Sequence, residues 1–438
     1  MSPNIQKADS PDKVQGAVTG EHIIIRGGRE LNGIVTIAGA KNAVLKMMAG
    51  ALLVNDITVL RNVPDLTDVH MMAKVIEYLG AKVEIANNQV TIDARNLTEF
   101  EAPYELVSQF RASFVVLGPL LARLGQAKVS LPGGCAIGER RIDLHERGLK
   151  QLGAEISIEH GYVNATANKL IGSRIYLDRP SNGATENIML AAILAEGQTI
   201  IENAAQDPEI VNLADFCNAI GGKVSGAGSY QIIIDGVRKE DLHAAVVDTI
   251  PDRLEAGTFM MAVLATQGEI TLEGVFPHHL YSVISKMTEI GAEVSILAPT
   301  TMKVRMRTVP RATDVTTQPF PAFPTDLQAP VMSVLAAASG TSIVTENIYE
   351  NRFMHVAELR RMGAEIALTG NSAAVIKGVA RLTGAEVKSS DLRAAAALII
   401  AGLAAEGVTE VTGLQHLDRG YENLEDKFRT LGADIYRR

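Results

Sequence analysis

The chain of 438 residues is poor in the residues on which several common kinds of site depend. It has no tryptophan, its aromatic content is 4%, and its two cysteines, Cys135 and Cys217, lie far apart. With few aromatic side chains and a net charge of −9, it lacks the stacking and basic surfaces that nucleic-acid binding uses. Two isolated cysteines give neither a disulfide framework nor a zinc-ligand spacing. The composition therefore predicts a protein of a reducing compartment, the cytoplasm, with no nucleic-acid partner.

Several motifs and segment types are also missing. The nucleotide-binding motif GxxxxGK[ST], the dinucleotide motif GxGxxG and the zinc motif HExxH are absent. The longest apolar runs, such as Ala394–Ala405, reach about a dozen residues, whereas a membrane-spanning helix needs about 20. Residues 1–20 are polar and lack the apolar core of a signal peptide, so we expect a flexible tail. The sequence thus argues against membrane insertion.

A short phrase recurs six times along the chain: the end of a helical pattern, then Gly, then Ala or Gly, then a strand. Successive copies are separated by 68 to 73 residues, a spacing too even for chance. The glycines of the six copies are Gly80, Gly153, Gly221, Gly291, Gly363 and Gly432. Repeats of this length indicate a fold assembled from similar units.

A second phrase, an alanine-rich apolar helix with a polar or charged start, has the same period. These helices are apolar on almost every side, which predicts that they are buried. They begin near residues 40, 110, 183, 252, 325 and 391. One such unit cannot bury its own sheet and helix faces, so the copies must pack together. We predict an α/β fold of two domains with three units each; a single solenoid of six units is the alternative.

The starts of the buried helices carry a recurrent charge. The residues at these starts are Lys41, Arg111, Thr185, Arg253, Asp326 and Arg393. A cation at a helix N-terminus opposes the helix dipole, so cations at four of six starts favour bound phosphate or carboxylate groups. The alternative is that each cation pairs with an acidic side chain of a neighbouring unit.

Loops that follow strands carry further reactive groups. Arg140, Arg352 and Arg419 lie in such loops, and a guanidinium group binds carboxylate or phosphate well. Cys135 lies in a glycine-rich turn near Arg140, a setting that lowers a thiol pKa and makes the thiol reactive. With Asp326 as a candidate base, these residues predict a pocket for at least two anionic groups with acid–base chemistry.

Other residues with reactive side chains fit structural roles better. Cys217 lies on a helical pattern and is expected in the core. The pair His278–His279 follows Phe276 and a proline and is expected on a surface turn. His355 and His416 lie in the arginine loops, so they are kept as minor candidates for the site.

The chain resembles the UDP-N-acetylglucosamine 1-carboxyvinyltransferases, the enolpyruvyl transferases of peptidoglycan synthesis, from about His22 to Arg438. The resemblance rests on ten motifs that occur in the family's order. They are "GAKNA", "FRAS", "LPGGCAIG", "IDLH", "GATENIMLAA", "NAAQDPEIV", "FPTDLQA", "ENRFMHV", "DLRA" and "HLDRGYENLEDK". A single match would be weak evidence, but ten in order identify the family.

The resemblance implies a two-domain inside-out α/β barrel with three βαβαββ units per domain. One domain would be discontinuous, residues 21–41 with 251–438, and the other would be residues 42–250 with the Cys135 loop. The substrate cleft would lie between them and close on ligands. The resemblance implies UDP-N-acetylglucosamine and phosphoenolpyruvate as partners and requires no metal or organic cofactor; it leaves the oligomeric state open.

The resemblance also implies roles for individual residues. Cys135 would protonate the methylene carbon of phosphoenolpyruvate, Asp326 would accept the proton of the sugar 3-hydroxyl, and the same thiol would react with fosfomycin. Lys41, Arg140 and Arg419 would hold phosphate and carboxylate, with Arg352 and Arg393 nearby. The remaining substrate contacts would be Asn42, Arg111, Arg141, Ile142, Asp143, Leu144, Arg179, Pro180, Ser181, Asn182, Gly183 and Ile348. The reaction would be the first committed step of peptidoglycan synthesis, on which cell shape and division depend.

One departure from the family pattern lies in the Cys135 loop. The family has a small residue before the loop arginine and proline after it, whereas this chain has Glu139 and Arg141. We expect this change to affect the affinity for the nucleotide and the movement of the loop, and to leave the catalytic role of Cys135 unchanged. The alternatives are a shikimate-3-phosphate enolpyruvyl transferase, which lacks the cysteine loop, a non-catalytic paralogue that binds nucleotide sugar, and an RNA-end-processing relative.

Overall fold

Six four-stranded sheets carry the strands of the described chain. The structure is a computed structural model that describes residues 21–107, 111–131 and 142–438. In chain order the strands are β1 (Ile23–Arg26), β2 (Asn32–Thr36), β3 (Ile57–Arg61), β4 (Lys82–Ala86), β5 (Gln89–Asp93), β6 (Glu101–Ala102), β7 (Gln126–Ser130), β8 (Glu155–Glu159), β9 (Tyr162–Thr166), β10 (Arg174–Tyr176), β11 (Gln198–Glu202), β12 (Val224–Ser225), β13 (Gln231–Asp235), β14 (Ala245–Asp248), β15 (Glu269–Glu273), β16 (Glu293–Ala298), β17 (Thr301–Arg305), β18 (Val315–Thr316), β19 (Thr341–Thr345), β20 (Glu365–Thr369), β21 (Ala373–Lys377), β22 (Glu386–Lys388), β23 (Val408–Thr412) and β24 (Asp434–Arg437).

The helices alternate between the buried and the surface type that the repeats predict. In chain order they are α1 (Lys41–Gly50), α2 (Thr67–Tyr78), α3 (Tyr104–Val107), α4 (Leu117–Leu124), α5 (Asp143–Gln151), α6 (Asn182–Ala192), α7 (Pro208–Ala219), α8 (Arg253–Thr266), α9 (Tyr281–Ile290), α10 (Gln328–Leu335), α11 (Val356–Arg361), α12 (Leu392–Ala404) and α13 (Leu424–Thr430). Short 3₁₀ turns precede two buried helices, at Arg111–Val116 before α4 and Thr325–Leu327 before α10. Within the described ranges, none of the helices combines the length and the apolar character that crossing a bilayer requires.

All six sheets have the same internal order. An outer strand pairs parallel with the strand that follows a buried helix, and two antiparallel strands complete the sheet, as in β14-β3-β5-β4. In five sheets these two strands form a hairpin; in the sixth they are β1 and β24, which are far apart in the chain. The repeat glycines make the turn that leads into each sheet, and all six have positive φ, between 91° and 120°. Only glycine adopts that backbone conformation without strain, which explains why it recurs there.

The sheets form two groups of three, each around its own apolar core. Strands β3 to β14 surround a core that runs from Ala40 to Leu242, which we call the first lobe. Strands β1, β2 and β15 to β24 surround a core that combines Ile23–Ile37 with Leu254–Ile435, which we call the second lobe. Because β14 returns to pair with β3, the first three units close on themselves. The chain therefore does not form the single solenoid that the repeats alone allowed.

Small side chains let the central helices approach closely. In the second lobe α10 packs on α12, and both contact α8. Ala395, Ala396 and Ala397 of α12 are fully buried. A Cβ at Gly257 of α8 would lie 2.4 Å from Cδ1 of Leu327, so this glycine allows the turn Thr325–Leu327 to rest against α8. The position of Asp326 in that turn thus depends on the buried helices below it.

Candidate active site

Asp326 lies between two buried arginines. Nη2 of Arg352 donates to Oδ1 at 2.7 Å, and Nη2 of Arg393 donates to Oδ2 at 2.9 Å. The Asp326 side chain keeps 26% of its surface exposed, although both arginines are buried. Burial alone would raise the Asp326 pKa, but Arg393 and Arg352 outweigh it and hold that pKa well below its usual range. Asp326 is therefore an ionised, partly accessible carboxylate with a fixed orientation.

Lys41 and Arg419 share a second carboxylate, Asp68. Nζ of Lys41 lies 3.2 Å from Oδ2 of Asp68, and Nε of Arg419 lies 2.9 Å from Oδ1. Burial lowers the pKa of Lys41, Asp68 opposes this change, and the nearby Arg393 and Arg419 lower it further. Since Asp68 belongs to α2 and Arg419 to the loop after β23, this contact joins the two lobes.

The two groups act on each other and form one charged cluster. Lys41 contributes to the low pKa of Asp326, and Arg393 contributes to the low pKa of Lys41. In the ion pairs of the described cluster four cations share two carboxylates, and Asp252 adds a further negative charge near Arg393, so cations remain in excess. Such a cluster at the meeting of two lobes is suited to an anionic ligand, since burial strengthens the attraction.

A chain of hydroxyl groups orients Arg393. Its Nη1 donates to the hydroxyl oxygen of Tyr421 at 3.0 Å, and that hydroxyl lies 2.8 Å from Oγ1 of Thr258. Thr258 in turn donates to the carbonyl of Leu254 in α8. All of these side chains are buried, so the guanidinium has a fixed position relative to Asp326.

Arg253, another helix-start cation, has a different environment. Its Nη2 donates to Oδ1 of Asp207 at 2.8 Å and its Nε donates to Oε1 of Glu209 at 3.1 Å. All three side chains are buried. Burial raises the pKa of Asp207 to about 6, although Arg253 acts in the opposite direction. At this position the alternative interpretation is correct: the cation pairs with acidic side chains of a neighbouring unit.

The predicted nucleotide-sugar contacts lie on both lobes. Asp143 and Arg179 are joined, with Nη2 of Arg179 3.2 Å from Oδ1 of Asp143, and both are about half exposed. Ile142 and Leu144 flank the start of α5, and Pro180 precedes α6. Ser181 caps α6 by accepting from the amide of Ala184, with Asn182 and Gly183 as its first residues. Asn42 is the second residue of α1.

Ile348 lies on the second lobe, in the loop after β19, and its amide donates to Oε1 of Glu346 at 2.7 Å. The predicted thiol and its neighbours Arg140, Arg141 and Glu139 lie outside the described residues. Arg111 opens a described 3₁₀ turn, but its side chain also lies outside. The roles of these residues therefore stay predictions.

His355, a minor candidate for the site, and Cys217 both lie in the core. His355 is buried, and burial lowers its pKa to about 4, with Asp391 opposing and Arg352 adding to that change. Cys217 is buried in α7, and burial raises its thiol pKa to about 12, as expected for a core cysteine. In the described part of the chain, no group of three or more His, Cys, Asp or Glu side chains is arranged to hold a metal ion.

Asp68, Tyr421 and Glu346 are parts of the site that the sequence motifs did not single out. Tyr421 lies within the motif "HLDRGYENLEDK", and Asp68 lies in "PDLTD" and is the second residue of α2. Their partners are far away in the chain, since Asp68 is 351 residues from Arg419. Only the folded chain shows these pairs.

Comparisons with known proteins agree with this architecture. Residues 25–428 match the family model of EPSP synthase (3-phosphoshikimate 1-carboxyvinyltransferase). The chain is 53% identical to a UDP-N-acetylglucosamine 1-carboxyvinyltransferase of Gloeobacter violaceus, covering 99% of this chain and 93% of the relative. It is 54% identical to the UDP-N-acetylglucosamine 1-carboxyvinyltransferase 2 of Carboxydothermus hydrogenoformans, covering 95% and 99%.

Solved structures show the same fold. The enolpyruvyl transferase NikO from Streptomyces tendae superposes with a TM-score of 0.87 at 24% identity, covering 95% of this chain and 98% of that one. An EPSP synthase from Acinetobacter baumannii superposes with a TM-score of 0.72 at 18% identity, covering 96% and 100%. These neighbours support the two-domain α/β fold, and identity above one half over nearly the full length places the chain in the UDP-N-acetylglucosamine 1-carboxyvinyltransferase family.

Proposed function

We propose that this chain transfers the enolpyruvyl group of phosphoenolpyruvate to the 3-hydroxyl of UDP-N-acetylglucosamine and releases phosphate. The observation that carries the proposal is the position of Asp326, held by Arg352 and Arg393 beside the Lys41–Asp68–Arg419 group. The relatives described above are named UDP-N-acetylglucosamine 1-carboxyvinyltransferases, the enzymes of this reaction. The product would enter peptidoglycan synthesis.

The excess positive charge is suited to phosphoenolpyruvate, which carries a phosphate and a carboxylate. Lys41 and Arg419, with Arg140 from the Cys135 loop, would bind these groups. In this structure both Lys41 and Arg419 form ion pairs with Asp68. A bound phosphate would share these cations with Asp68 and would contact both lobes. The charges would also stabilise the transition state as the reacting carbon changes geometry.

The chemistry follows from one acid and one base. Cys135 donates a proton to the methylene carbon, and the neighbouring carbon gains oxocarbenium character. The sugar hydroxyl adds to that carbon while Asp326 accepts its proton, which gives a tetrahedral phospho-ketal. Loss of a proton from the new methyl group and departure of phosphate then restore the double bond. The proton that Cys135 gives to the methylene carbon is balanced by the proton that the methyl group loses, and the proton that Asp326 accepts can leave with the phosphate.

The low pKa of Asp326 makes it a weak base until substrate binds. Its two oxygens accept from Arg352 and Arg393. An anionic group bound at Lys41 and Arg419 would add negative charge near Asp326 and would raise the Asp326 pKa. We infer that Asp326 becomes a stronger base when phosphoenolpyruvate is bound.

The nucleotide sugar would be held by both lobes. On the first lobe the contacts would be Asn42, Arg111, the segment Arg140–Leu144 and the segment Arg179–Gly183; on the second, Ile348. With the domains divided as residues 42–250 and residues 21–41 plus 251–438, the ligand would bridge the cleft between them. A cysteine pair without disulfide spacing favours the cytoplasm as the location.

The test is phosphate release from phosphoenolpyruvate with UDP-N-acetylglucosamine or shikimate 3-phosphate as acceptor. We expect release with the nucleotide sugar alone, and a loss of at least about 100-fold in Cys135→Ala because the proton donor is removed. Cys217→Ala is the matched control, since that thiol is buried in α7 and lies in the core. Release with shikimate 3-phosphate would assign the chain to that acceptor. Tight nucleotide-sugar binding without turnover would make it a non-catalytic paralogue.

A further inference from the structure

Glu346 is a buried carboxylate that the proposed reaction does not use directly. It follows β19 and keeps only 2% of its surface exposed. Its own amide donates to the carbonyl of Ser372 at 2.8 Å, and the next amide, of Asn347, donates to Oγ1 of Thr317. The backbone that carries this carboxylate is therefore fixed to the neighbouring strands.

The two oxygens of Glu346 bind two different parts of the site. Oε1 accepts from the amide of Ile348 at 2.7 Å and from the amide of Tyr349 at 3.2 Å. Oε2 accepts from the hydroxyl of Thr325 at 2.9 Å. A buried carboxylate with three donors has its hydrogen-bonding capacity well used, and such groups hold their neighbours in a single arrangement.

Both partners border functional positions. Thr325 directly precedes Asp326, the proposed base. Ile348 is the proposed second-lobe contact of the nucleotide sugar. The ring of Tyr349 lies 5.4 Å from the guanidinium carbon of Arg352, which itself holds Asp326. One carboxylate thus connects the turn that carries the base with the loop that would contact the acceptor.

We propose that Glu346 is a positioning residue that couples acceptor binding to the orientation of Asp326. When the sugar nucleotide contacts Ile348, it fixes the loop whose amides donate to Oε1 of Glu346. The same carboxylate accepts from Thr325 through Oε2 and so fixes the residue before Asp326. The base is then correctly placed when the acceptor is seated. This inference rests on the proposed function, because it assigns the acceptor to the Ile348 loop.

The test is a double-mutant cycle between Thr325→Val and Glu346→Ala, with kcat and the KM for UDP-N-acetylglucosamine measured separately. Thr325→Val removes only the hydroxyl, so we expect kcat to fall about 10-fold with KM changed less than about 2-fold. Glu346→Ala also releases the Ile348 loop, so kcat falls about 10-fold and KM rises about 10-fold. In the double variant kcat should fall no further, because both changes break the same contact.

Conservative variants separate positioning from folding. The amide of Glu346→Gln can still accept from the Ile348 loop and donate to Thr325, so we expect both constants within about 3-fold of wild type. Thr325→Ser keeps the hydroxyl and should likewise retain kcat. Thermal unfolding of each variant checks that the fold persists; if Glu346→Ala does not fold, Thr325→Val and Thr325→Ser decide the question.

Several results would overturn the proposal: wild-type kcat in Thr325→Val, multiplicative losses in the double variant, or a Glu346→Gln enzyme as impaired as Glu346→Ala. Glu365→Gln is the matched control, because that carboxylate lies on the outer side of the second lobe and pairs with Lys377. If wild type and this control both fail to turn over the nucleotide sugar, the proposed function fails instead. Calorimetry of UDP-N-acetylglucosamine binding to wild type and Glu346→Ala then still tests the loop contact.

Discussion

Two arginines in the first turns of central helices of the second lobe have different surroundings. Arg253 directly follows Asp252, the cap of α8, and Arg393 stands two residues after Asp391, the cap of α12. Arg253 is paired with Asp207 and Glu209, two buried carboxylates of the first lobe. Arg393 instead holds Asp326, a carboxylate that remains partly exposed. The repeat places a cation at the start of each of these helices. The carboxylates that pair with it differ, and we expect them to determine whether the cation stabilises the fold or takes part in the candidate site.

Among the variants that test this difference, Asp326→Asn should have the largest effect on turnover. Replacing the carboxylate removes the proposed base and leaves two buried guanidinium groups without their counter-charge. We expect kcat to fall about 1,000-fold while calorimetric binding of UDP-N-acetylglucosamine changes by less than about 3-fold. Asp235→Asn, which removes a surface carboxylate that accepts from Gln198, is the control and should keep wild-type turnover. An Asp326→Asn enzyme with kcat within 10-fold of wild type would exclude Asp326 as the base.

Arg393→Lys should have the next largest effect. Lysine keeps the charge but cannot bond to Asp326 and Tyr421 at once, as the guanidinium does. We expect kcat to fall about 100-fold, with the free energy of unfolding little changed. The measurement is steady-state kinetics together with urea unfolding. A variant that loses stability but keeps kcat would place Arg393 in the same class as Arg253.

Arg253→Lys should show the reverse pattern. It weakens a buried group in which the arginine meets two carboxylates. We expect a loss of about 2 kcal/mol in the free energy of unfolding and a kcat within about 3-fold of wild type. Urea unfolding and the phosphate-release assay give both values on one sample. A loss of turnover without a loss of stability would contradict the structural role.

The last expected effect concerns the pH dependence of stability. The pKa of Asp207 is raised to about 6 in the folded chain, so the folded state binds the Asp207 proton more tightly than the unfolded state does. Stability from this group is therefore present at low pH and is lost as pH rises from about 4 to about 6. Asp207→Asn removes that loss, so its stability relative to wild type should improve between pH 4 and pH 7. Urea unfolding at both values measures the change, and an unchanged difference would contradict it.

Much of the fold could be predicted from the sequence because the repeat is strict. The helix beginning at Asp391 was expected from "DLRAAAALIIAGLAAEG", and the structure has α12 at Leu392–Ala404 with Asp391 as its cap. The positive-φ glycines explain why the "GA" phrase survives in every unit. Local chemistry sufficed for these features, since caps, apolar faces and turns depend on neighbours in the chain.

The candidate site could be predicted only in part. Lys41, Arg352, Arg393 and Arg419 were named from helix starts and loops, and the structure brings them together around Asp326 and Asp68. Which cation would pair with which carboxylate could not be predicted. The sequence left Arg253 and Arg393 equivalent, because their difference lies in partners from other units. The roles of Tyr421 and Glu346 could not be predicted either, because Arg393, Thr258 and Thr325, which they contact, lie far away in the chain.

The strand β1 has a consequence for biosynthesis. It lies between β23 and β24, so Ile25 faces Thr409 on one side and Ile435 on the other. A ribosome that has made the first 250 residues has already supplied every strand of the first lobe, but the partners of β1 emerge last. The first lobe can therefore form during translation before the second is complete. In the second lobe β2 gains its partner β15 early, whereas β1 stays an unpaired strand until β23 and β24 have been made.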